Sequence, residues 1–140
     1  MKSFFEHIFE QITPQKLYKT RLQEFFLQNN YSWGDYGSIY LLGLGKASGL
    51  ESRHFIELVG KQYGLVLDDL LIVTKTGHGE PEHSEKTFES SHPYVDEKSF
   101  KAADLCRQFV GKAQAHDLIF VLISGGTSAL IEDYASEEAA

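Results

Sequence analysis

Apolar positions along the chain recur with two different spacings. At residues 1–12 and 17–26 they fall at helical intervals, which predicts two amphipathic helices with one apolar stripe each. Shorter uninterrupted apolar runs at 38–43, 70–74 and 118–123 predict β-strands. The run at 118–123 is continuous, as is typical of a strand buried on both faces in a parallel sheet.

Helices are predicted between these strands. One is expected to open at Gly45 and to end near Tyr63, with Gly64 as its stop. Another, with its apolar stripe at 102–110, is expected to be capped by the side chain of Asp96. Residues 87–90 predict a brief additional strand. Alternating strands and helices indicate βαβ units, so the predicted fold is a three-layer α/β/α domain with a mainly parallel sheet, preceded by two amino-terminal helices.

Composition limits the functional classes. With 140 residues the chain is expected to form one domain, and 42% hydrophobic against 24% charged residues is typical of a globular protein. A net charge of −7 argues against nucleic acid or an anionic membrane as the main partner. The single cysteine, Cys106, excludes an internal disulfide and is expected to be a buried, inert thiol. No apolar run has the length of a membrane span and no signal-peptide pattern is present, so a cytoplasmic location is expected.

Three glycine-containing or polar loops follow the predicted strands, at residues 43–48, 75–93 and 124–128. Because the carboxyl ends of parallel strands lie at one edge of a sheet, these loops are expected to converge. Their glycines allow close approach of an anion, helix-start amides can receive it, and Lys46 adds a mobile positive charge. The hydroxyls of Thr127 and Ser128 are candidates for capping a following helix. The competing interpretation is tight strand-to-helix turns without a ligand, and a solvated lysine.

The standard signatures of several chemistries are missing. The loop at 43–48 is not a Walker A loop, since Tyr40 stands where its first glycine is required. It also misses the dinucleotide fingerprint, because Ser48 replaces the third glycine. Residues 124–128 lack the Gly-x-Ser-x-Gly nucleophile elbow, which disfavours hydrolase chemistry. The six histidines match no zinc spacing, and His78 is either a donor to an oxyanion or a solvated loop residue.

Taken together, the loops carry a series of motifs in a fixed order. These are Gly-Leu-Gly-Lys-Ala-Ser at 43–48, Lys75 with Gly77-His78, Ser91-His92-Pro93 with Asp96 and Ser99, and Ser-Gly-Gly-Thr-Ser-Ala-Leu at 124–130. Across residues 38–131 this series resembles the amino-terminal, DUF4147-like domain of the glycerate 2-kinases of the MOFRL type. Some members of that family are labelled hydroxypyruvate reductases.

The resemblance implies ATP-dependent phosphorylation of D-glycerate to 2-phosphoglycerate with Mg²⁺. It implies a cleft between a Rossmann-like amino-terminal domain and a carboxyl-terminal domain, and glycerate and a nucleotide as partners. Lys46 is then the candidate catalytic cation, and no metal ligands are assigned. The residues expected to bind substrate or phosphate are Gly43, Gly45, Ser48, Lys75, His78, His92, Ser124, Gly125, Gly126, Thr127 and Ser128.

The chain also departs from the family pattern. Thr127 stands in place of a third glycine, and Gly49 weakens the start of the helix after Lys46. A family member is expected to have a second domain, so this chain is expected to be a truncated piece that supplies one wall of the cleft. It is also expected to self-associate through the exposed interdomain face. The alternatives are a freestanding anion-binding or interaction module without catalysis, and an NAD(P)-dependent hydroxypyruvate reductase. An incomplete glycine fingerprint weakens the reductase alternative.

Overall fold

A computed structural model describes residues 32–133 together with the isolated positions Lys16, Thr20, Arg21 and Glu24. The two predicted amino-terminal helices, at 1–12 and 17–26, lie outside the described residues except for Thr20, Arg21 and Glu24, and residues 134–140 also lie outside them. Within the described part, no helix combines the length and the apolar character needed to cross a membrane.

The described region alternates strands and helices. The strands are β1 (Ile39–Leu44), β2 (Asp69–Lys75), β3 (Thr87–Ser90) and β4 (Leu118–Ile123). The α-helices are α1 (Ser48–Tyr63), α2 (Glu97–Val110) and α3 (Thr127–Leu130), and two 3₁₀ segments span Trp33–Asp35 and Pro81–Lys86.

The four strands form one sheet in the order β3-β2-β1-β4, and every pairing is parallel. Gly43 of β1 is in register with Ile72 of β2 and with Leu122 of β4. Three strands therefore end at nearly the same level, and the loops that follow them leave from one edge. The predicted α/β fold with a mainly parallel sheet is confirmed, including the brief strand at 87–90.

Helices cover both faces of the sheet. On one face, Leu41 of β1 packs with Phe55 and Val59 of α1, all fully buried. On the other face, Val73 of β2 packs with Ala102 of α2 and Leu130 of α3. Successive residues of a strand point to opposite faces, which explains how the short strands supply two separate apolar clusters.

Strand β4 corrects one expectation. The apolar run at 118–123 predicts burial on both faces, but Val121 is 49% and Ile123 69% exposed. The alternate residues Leu118, Phe120 and Leu122 pack against the α1 cluster. Among the described strands β4 pairs with β1 alone, while α2 and α3 pack over β2 and β3. An apolar run cannot by itself distinguish a central strand from one at the edge of the described sheet.

Local helix signals behave largely as predicted. Gly64 ends α1 in the left-handed conformation, with φ 63°. Asp96 caps α2 by accepting from the Lys98 amide at 2.8 Å, within a capping box completed by Ser99. Cys106 is only half-buried, but burial raises the pKa of its thiol to about 11, as expected of an unreactive cysteine.

Helix α3 is capped differently from the prediction. Its N-cap is Gly126, with φ 93° and no side-chain cap. The hydroxyl of Thr127 instead donates to the carbonyl of Ser124 at 2.9 Å. The Thr127 hydroxyl therefore stabilises the turn before the helix rather than the first turn of the helix.

Candidate functional site

The predicted loops meet at the carboxyl edge of the sheet. The Lys46 amide donates to the Gly125 carbonyl at 3.0 Å, and the Ala47 amide donates to Ser124 Oγ at 3.1 Å. The Gly45 amide donates to the carbonyl of Val73 in β2, also at 3.0 Å. Hydrogen bonds thus join the ends of β1, β2 and β4 directly.

At Gly45 the first loop approaches Ser124 of the third loop very closely. Its φ is +124°, and a Cβ at this position would lie 2.3 Å from Ser124 Oγ and 2.5 Å from the Ser124 carbonyl oxygen. An L side chain is excluded both by this conformation and by this contact. The sequence predicts close approach of a ligand at this loop, whereas the structure shows close approach of another loop of the same chain.

Three predicted binding residues of the first loop have contacts within the protein. The amide of Gly45 is already hydrogen-bonded, and Gly43 faces the hydroxyl of Ser52, which a Cβ would approach to 2.5 Å. The hydroxyl of Ser48 is fully buried and lies 2.7 Å from the Gly45 carbonyl and 2.9 Å from that of Val73. These contacts hold the loop in shape, and ligand binding by the three residues stays a prediction.

The side chains of Lys46 and His92 both lie next to Gly126. A Cβ built on Gly126 would be 3.0 Å from Cε and Cγ of Lys46 and 3.1 Å from Cδ2 of His92. With φ 93° and two side chains this close, the position requires glycine. The first and third predicted loops and the end of the second therefore meet at a single point.

The charged side chains around Gly126 and His92 are positive. Partial desolvation lowers the pKa of His92, and the charges of Lys46 and Lys75 lower it further. His92 is therefore neutral at neutral pH and retains one ring N–H as a donor. Two lysines and a neutral histidine form a local cationic patch on a chain whose net charge is −7.

Backbone amides add donors beside this patch. The amides of Gly125, Gly126, Thr127 and Ser128 make no hydrogen bond with any described residue. Gly125 and Ser128 are exposed, and Lys46 is exposed next to them. Consecutive amides of a turn, together with a lysine, are suited to hold the oxygens of a phosphate or carboxylate. We call the residues 125–128, Lys46, Lys75 and His92 the anion site.

Among the described residues, no hydrogen bond links His78 with Lys46 or His92. Its amide donates to the Lys75 carbonyl at 2.9 Å, and its side chain is exposed. Its own carbonyl oxygen would lie 3.2 Å from a Cβ on Gly49 of α1. Glycine at position 49 lets the loop after β2 pack against α1, and the sequence alone does not show this.

Glu51 is a residue that the sequence reasoning missed. It lies on the first turn of α1, and its Oε2 is buried without a hydrogen bond to any described residue. Burial raises the pKa of the Glu51 carboxyl, and a hydrogen bond with the Ser124 side chain lowers it in part. Helical spacing from Ala47 places Glu51 one turn after the loop, but nothing in the sequence shows that it faces β4.

The described residues offer no obvious resident metal centre. No three histidine, cysteine, aspartate or glutamate side chains of residues 32–133 gather where they could hold an ion. Mg²⁺ is commonly bound through one or two carboxylates together with substrate phosphates, and the described donors do not amount to a site on their own.

Comparison with known proteins identifies similar chains. The family described as "Domain of unknown function (DUF4147)" matches residues 1–137. A glycerate 2-kinase of Pyrococcus horikoshii is 38% identical over 96 residues, which cover 69% of this chain and 20% of that protein. A relative from Agrobacterium vitis, whose name includes the words hydroxypyruvate reductase, is 41% identical over 61 residues, 44% of this chain and 14% of the relative.

A solved structure is similar over most of the chain. The crystal structure of glycerate kinase from Thermotoga maritima superposes with a TM-score of 0.69 and 26% identity, covering 89% of this chain and 27% of that one. The chain spans about one fifth of the length of the Pyrococcus relative. The resemblance to the amino-terminal part of glycerate 2-kinases is confirmed by these matches.

Proposed function

The chain belongs to the DUF4147 family, and from that premise we propose that the protein containing it is a glycerate 2-kinase. The proposed reaction transfers a phosphoryl group from ATP to D-glycerate and yields 2-phosphoglycerate. The names of its relatives support a kinase of this class. Because the chain covers only part of those relatives, we assign it one wall of the site, with the other wall supplied by a second domain.

The observation that carries the proposal is the contact of Lys46 and His92 with Gly126 at the edge where the loops meet. Phosphoryl transfer depends mainly on positioning and on neutralising negative charge. In the proposed site the Lys46 ammonium faces the transferring phosphoryl oxygens, and the amides of residues 125–128 orient them. Neutral His92 donates a hydrogen bond to the same oxygens, and Lys75 adds a second positive charge.

Mg²⁺, when present, would screen the charge of the nucleotide phosphates to which it is bound. The chain's own contribution is limited to binding and orientation. Substrate or phosphate binding by Gly43, Gly45, Ser48 and His78 stays part of this proposal. The contacts of Gly43, Gly45 and Ser48 within the protein hold the first loop in shape.

A chimera tests the kinase proposal. Residues 32–133 replace the matching segment of the Thermotoga glycerate kinase, and glycerate-dependent ADP formation is measured in a coupled assay. We expect Lys46→Ala to lower turnover by about a hundredfold or more, as for other residues that stabilise transition-state charge. Lys61→Ala, which removes an exposed lysine from the last turn of α1, is the matched control.

Near-normal turnover of Lys46→Ala in a chimera that is active and cooperatively folded would remove Lys46 from the reaction. Binding is tested separately on the 140-residue chain by titration with inorganic phosphate. The freestanding anion-binding module is favoured if the 140-residue chain binds phosphate in a Lys46-dependent way while the chimera folds but is inactive.

The reductase alternative rests on the name of one relative. Titration of the chain with NADH, followed by nicotinamide fluorescence, addresses it directly. We expect no saturable change, because Ser48 occupies the third position of the glycine fingerprint and its hydroxyl is buried in the loop.

Self-association stays part of the proposal. Val121 and Ile123 are the exposed apolar residues that β4 offers on the sheet face away from α1. Sedimentation at increasing concentration is expected to show association of the 140-residue chain, and Ile123→Lys is expected to reduce it.

A further inference from the structure

Ser99 joins two helices through one fully buried hydroxyl. Its Oγ donates to the Ala129 carbonyl of α3 at 2.9 Å and accepts from the amide of Asp96, the N-cap of α2, at 3.3 Å. Its backbone carbonyl accepts from the Glu132 amide, just beyond α3, at 3.2 Å. Ser99 therefore does more than complete the capping box of α2, because the proton of its hydroxyl is used on another helix.

Helix α3 needs contacts from outside itself. It has only four residues, and the first turn of a helix is costly to form, so α3 is not expected to be stable alone. The last carbonyls of a helix have no partner within it, and the Ser99 hydroxyl supplies one for Ala129. The Ala129 amide in turn donates to the Gly126 carbonyl at 3.2 Å. Ser99 is thus linked through Ala129 to the glycine that lies next to Lys46 and His92 in the anion site.

The cap of α2 also reaches the segment that carries His92. Ser91, which directly precedes His92, donates its hydroxyl proton to Asp96 Oδ2 at 2.6 Å. This hydrogen bond lowers the pKa of the Asp96 carboxyl, so the acceptor is ionised at neutral pH and the bond is charge-assisted. The cap is therefore hydrogen-bonded to the His92 segment on one side and, through Ser99, to α3 on the other. It joins the two parts of the anion site that follow β3 and β4.

Resting on the proposed function, we propose that Ser99 is a positioning residue, which holds α3 and the turn before it against His92 in the arrangement that binds anionic oxygens. Ser99 does not touch the bound anion, because it is fully buried and its hydroxyl already donates and accepts within the protein. The competing role is that Ser99 only stabilises the fold. A residue of that kind changes the free energy of unfolding but leaves the anion site of the folded molecules as it was, so measurements on folded protein separate the two roles.

The binding experiment uses the 140-residue chain and inorganic phosphate as the probe, at a temperature where each variant is folded. We expect Ser99→Ala to bind phosphate about tenfold more weakly, because a turn that is no longer held must be ordered when the anion binds. Val59→Ala is the matched control. Val59 is fully buried in the apolar cluster on the α1 face of the sheet, so its truncation costs stability without removing a contact of α2 or α3. We expect Val59→Ala to bind phosphate as the wild type does.

The titration of His92 without ligand gives a readout that a loss of stability alone does not move. Partial desolvation lowers the pKa of His92 in the folded chain, and the charges of Lys46 and Lys75 lower it further. If Ser99 holds the turn against the ring, Ser99→Ala lets water reach the ring. The pKa of His92, measured from its ring-proton NMR shifts, is then expected to rise towards its ordinary value. Val59→Ala is expected to leave this pKa unchanged.

The ligand-free titration also separates this inference from the proposed function. An unchanged pKa of His92 in folded Ser99→Ala overturns the role of Ser99 even if phosphate binds at Lys46. Phosphate binding as tight as in the wild type, or a loss that Val59→Ala reproduces, overturns it as well. A raised pKa in a chain that does not bind phosphate supports the link while refuting the anion site.

A second variant covers the case in which Ser99→Ala does not fold. Ser91→Ala cuts the hydrogen bond between the cap and the His92 segment, at a side chain that is not fully buried. It is expected to raise the pKa of His92 and to weaken phosphate binding in the same direction. If it changes neither, the cap does not position the anion site and the proposal is overturned.

Discussion

Replacement of Gly45 by alanine tests the loop junction. The residue has φ +124°, and an added Cβ would lie 2.3 Å from Ser124 Oγ, 2.5 Å from the Ser124 carbonyl oxygen and 2.7 Å from its carbonyl carbon. Two of these three atoms are backbone, so rotation of a side chain cannot relieve the overlap. Gly77 offers a matched comparison, since its φ is +81° but nothing lies within 4 Å of its added Cβ.

The expected cost has two parts. Forcing an L residue into a positive-φ conformation costs about 1–2 kcal/mol at either glycine. At Gly45 the loops must also separate, which strains or breaks the hydrogen bonds donated by the Lys46 and Ala47 amides, each worth about 1 kcal/mol. We therefore expect Gly45→Ala to lower the free energy of unfolding by about 3–4 kcal/mol, and Gly77→Ala by only about 1–2 kcal/mol.

Urea denaturation followed by circular dichroism measures both variants. Gly125→Ala is a second control, because its added Cβ also meets nothing within 4 Å and its φ is not positive. Equal destabilisation by the Gly45 and Gly77 variants would refute the reasoning, since the conformational cost alone would then account for both. Phosphate affinity is expected to fall in Gly45→Ala and to remain unchanged in Gly77→Ala.

Two further predictions concern stability away from the anion site. The fully buried Ser90 hydroxyl donates to the Leu130 carbonyl, the last of α3, at 2.7 Å. Ser90→Ala is therefore expected to lower the free energy of unfolding by about 1–3 kcal/mol. A change within the error of urea denaturation would contradict this. At the start of β2, burial acts to raise the pKa of Asp69, but hydrogen bonds from Lys86 and Lys112, at 2.7 and 3.0 Å, outweigh it and lower the pKa to about 2. Because this pKa is depressed in the folded state, its contribution is present above about pH 4 and is lost as the pH falls from about 4 to about 2. Asp69→Asn is expected to cost about 1 kcal/mol at neutral pH and low salt and to flatten this part of the stability profile, and an unchanged acid profile would count against the ion pairs.

Local sequence signals predicted most of the described elements. Gly64 and Asp96 end and start helices through contacts within a few residues, so neighbouring residues suffice to specify them. The alternation of short apolar runs with helical stripes similarly predicted a parallel sheet, and a parallel sheet predicted that its loops share one edge. The two amino-terminal helices stay a prediction, because residues 1–12 and 17–26 lie outside the described residues except for Thr20, Arg21 and Glu24.

The tertiary structure decided how the loops are used. The amides of Lys46 and Ala47 do not face a ligand, because they donate to Gly125 and Ser124, about 80 residues away along the chain. The sequence did not show the exposure of Val121 or the burial of Glu51 Oε2, because each depends on what packs against a strand or helix. The sequence by itself determined the elements and the edge at which they end, since these follow from backbone preferences and hydrophobic periodicity. Only packing between distant segments determined which polar groups remain free at that edge, because a donor that is already hydrogen-bonded within the protein is not available to a ligand.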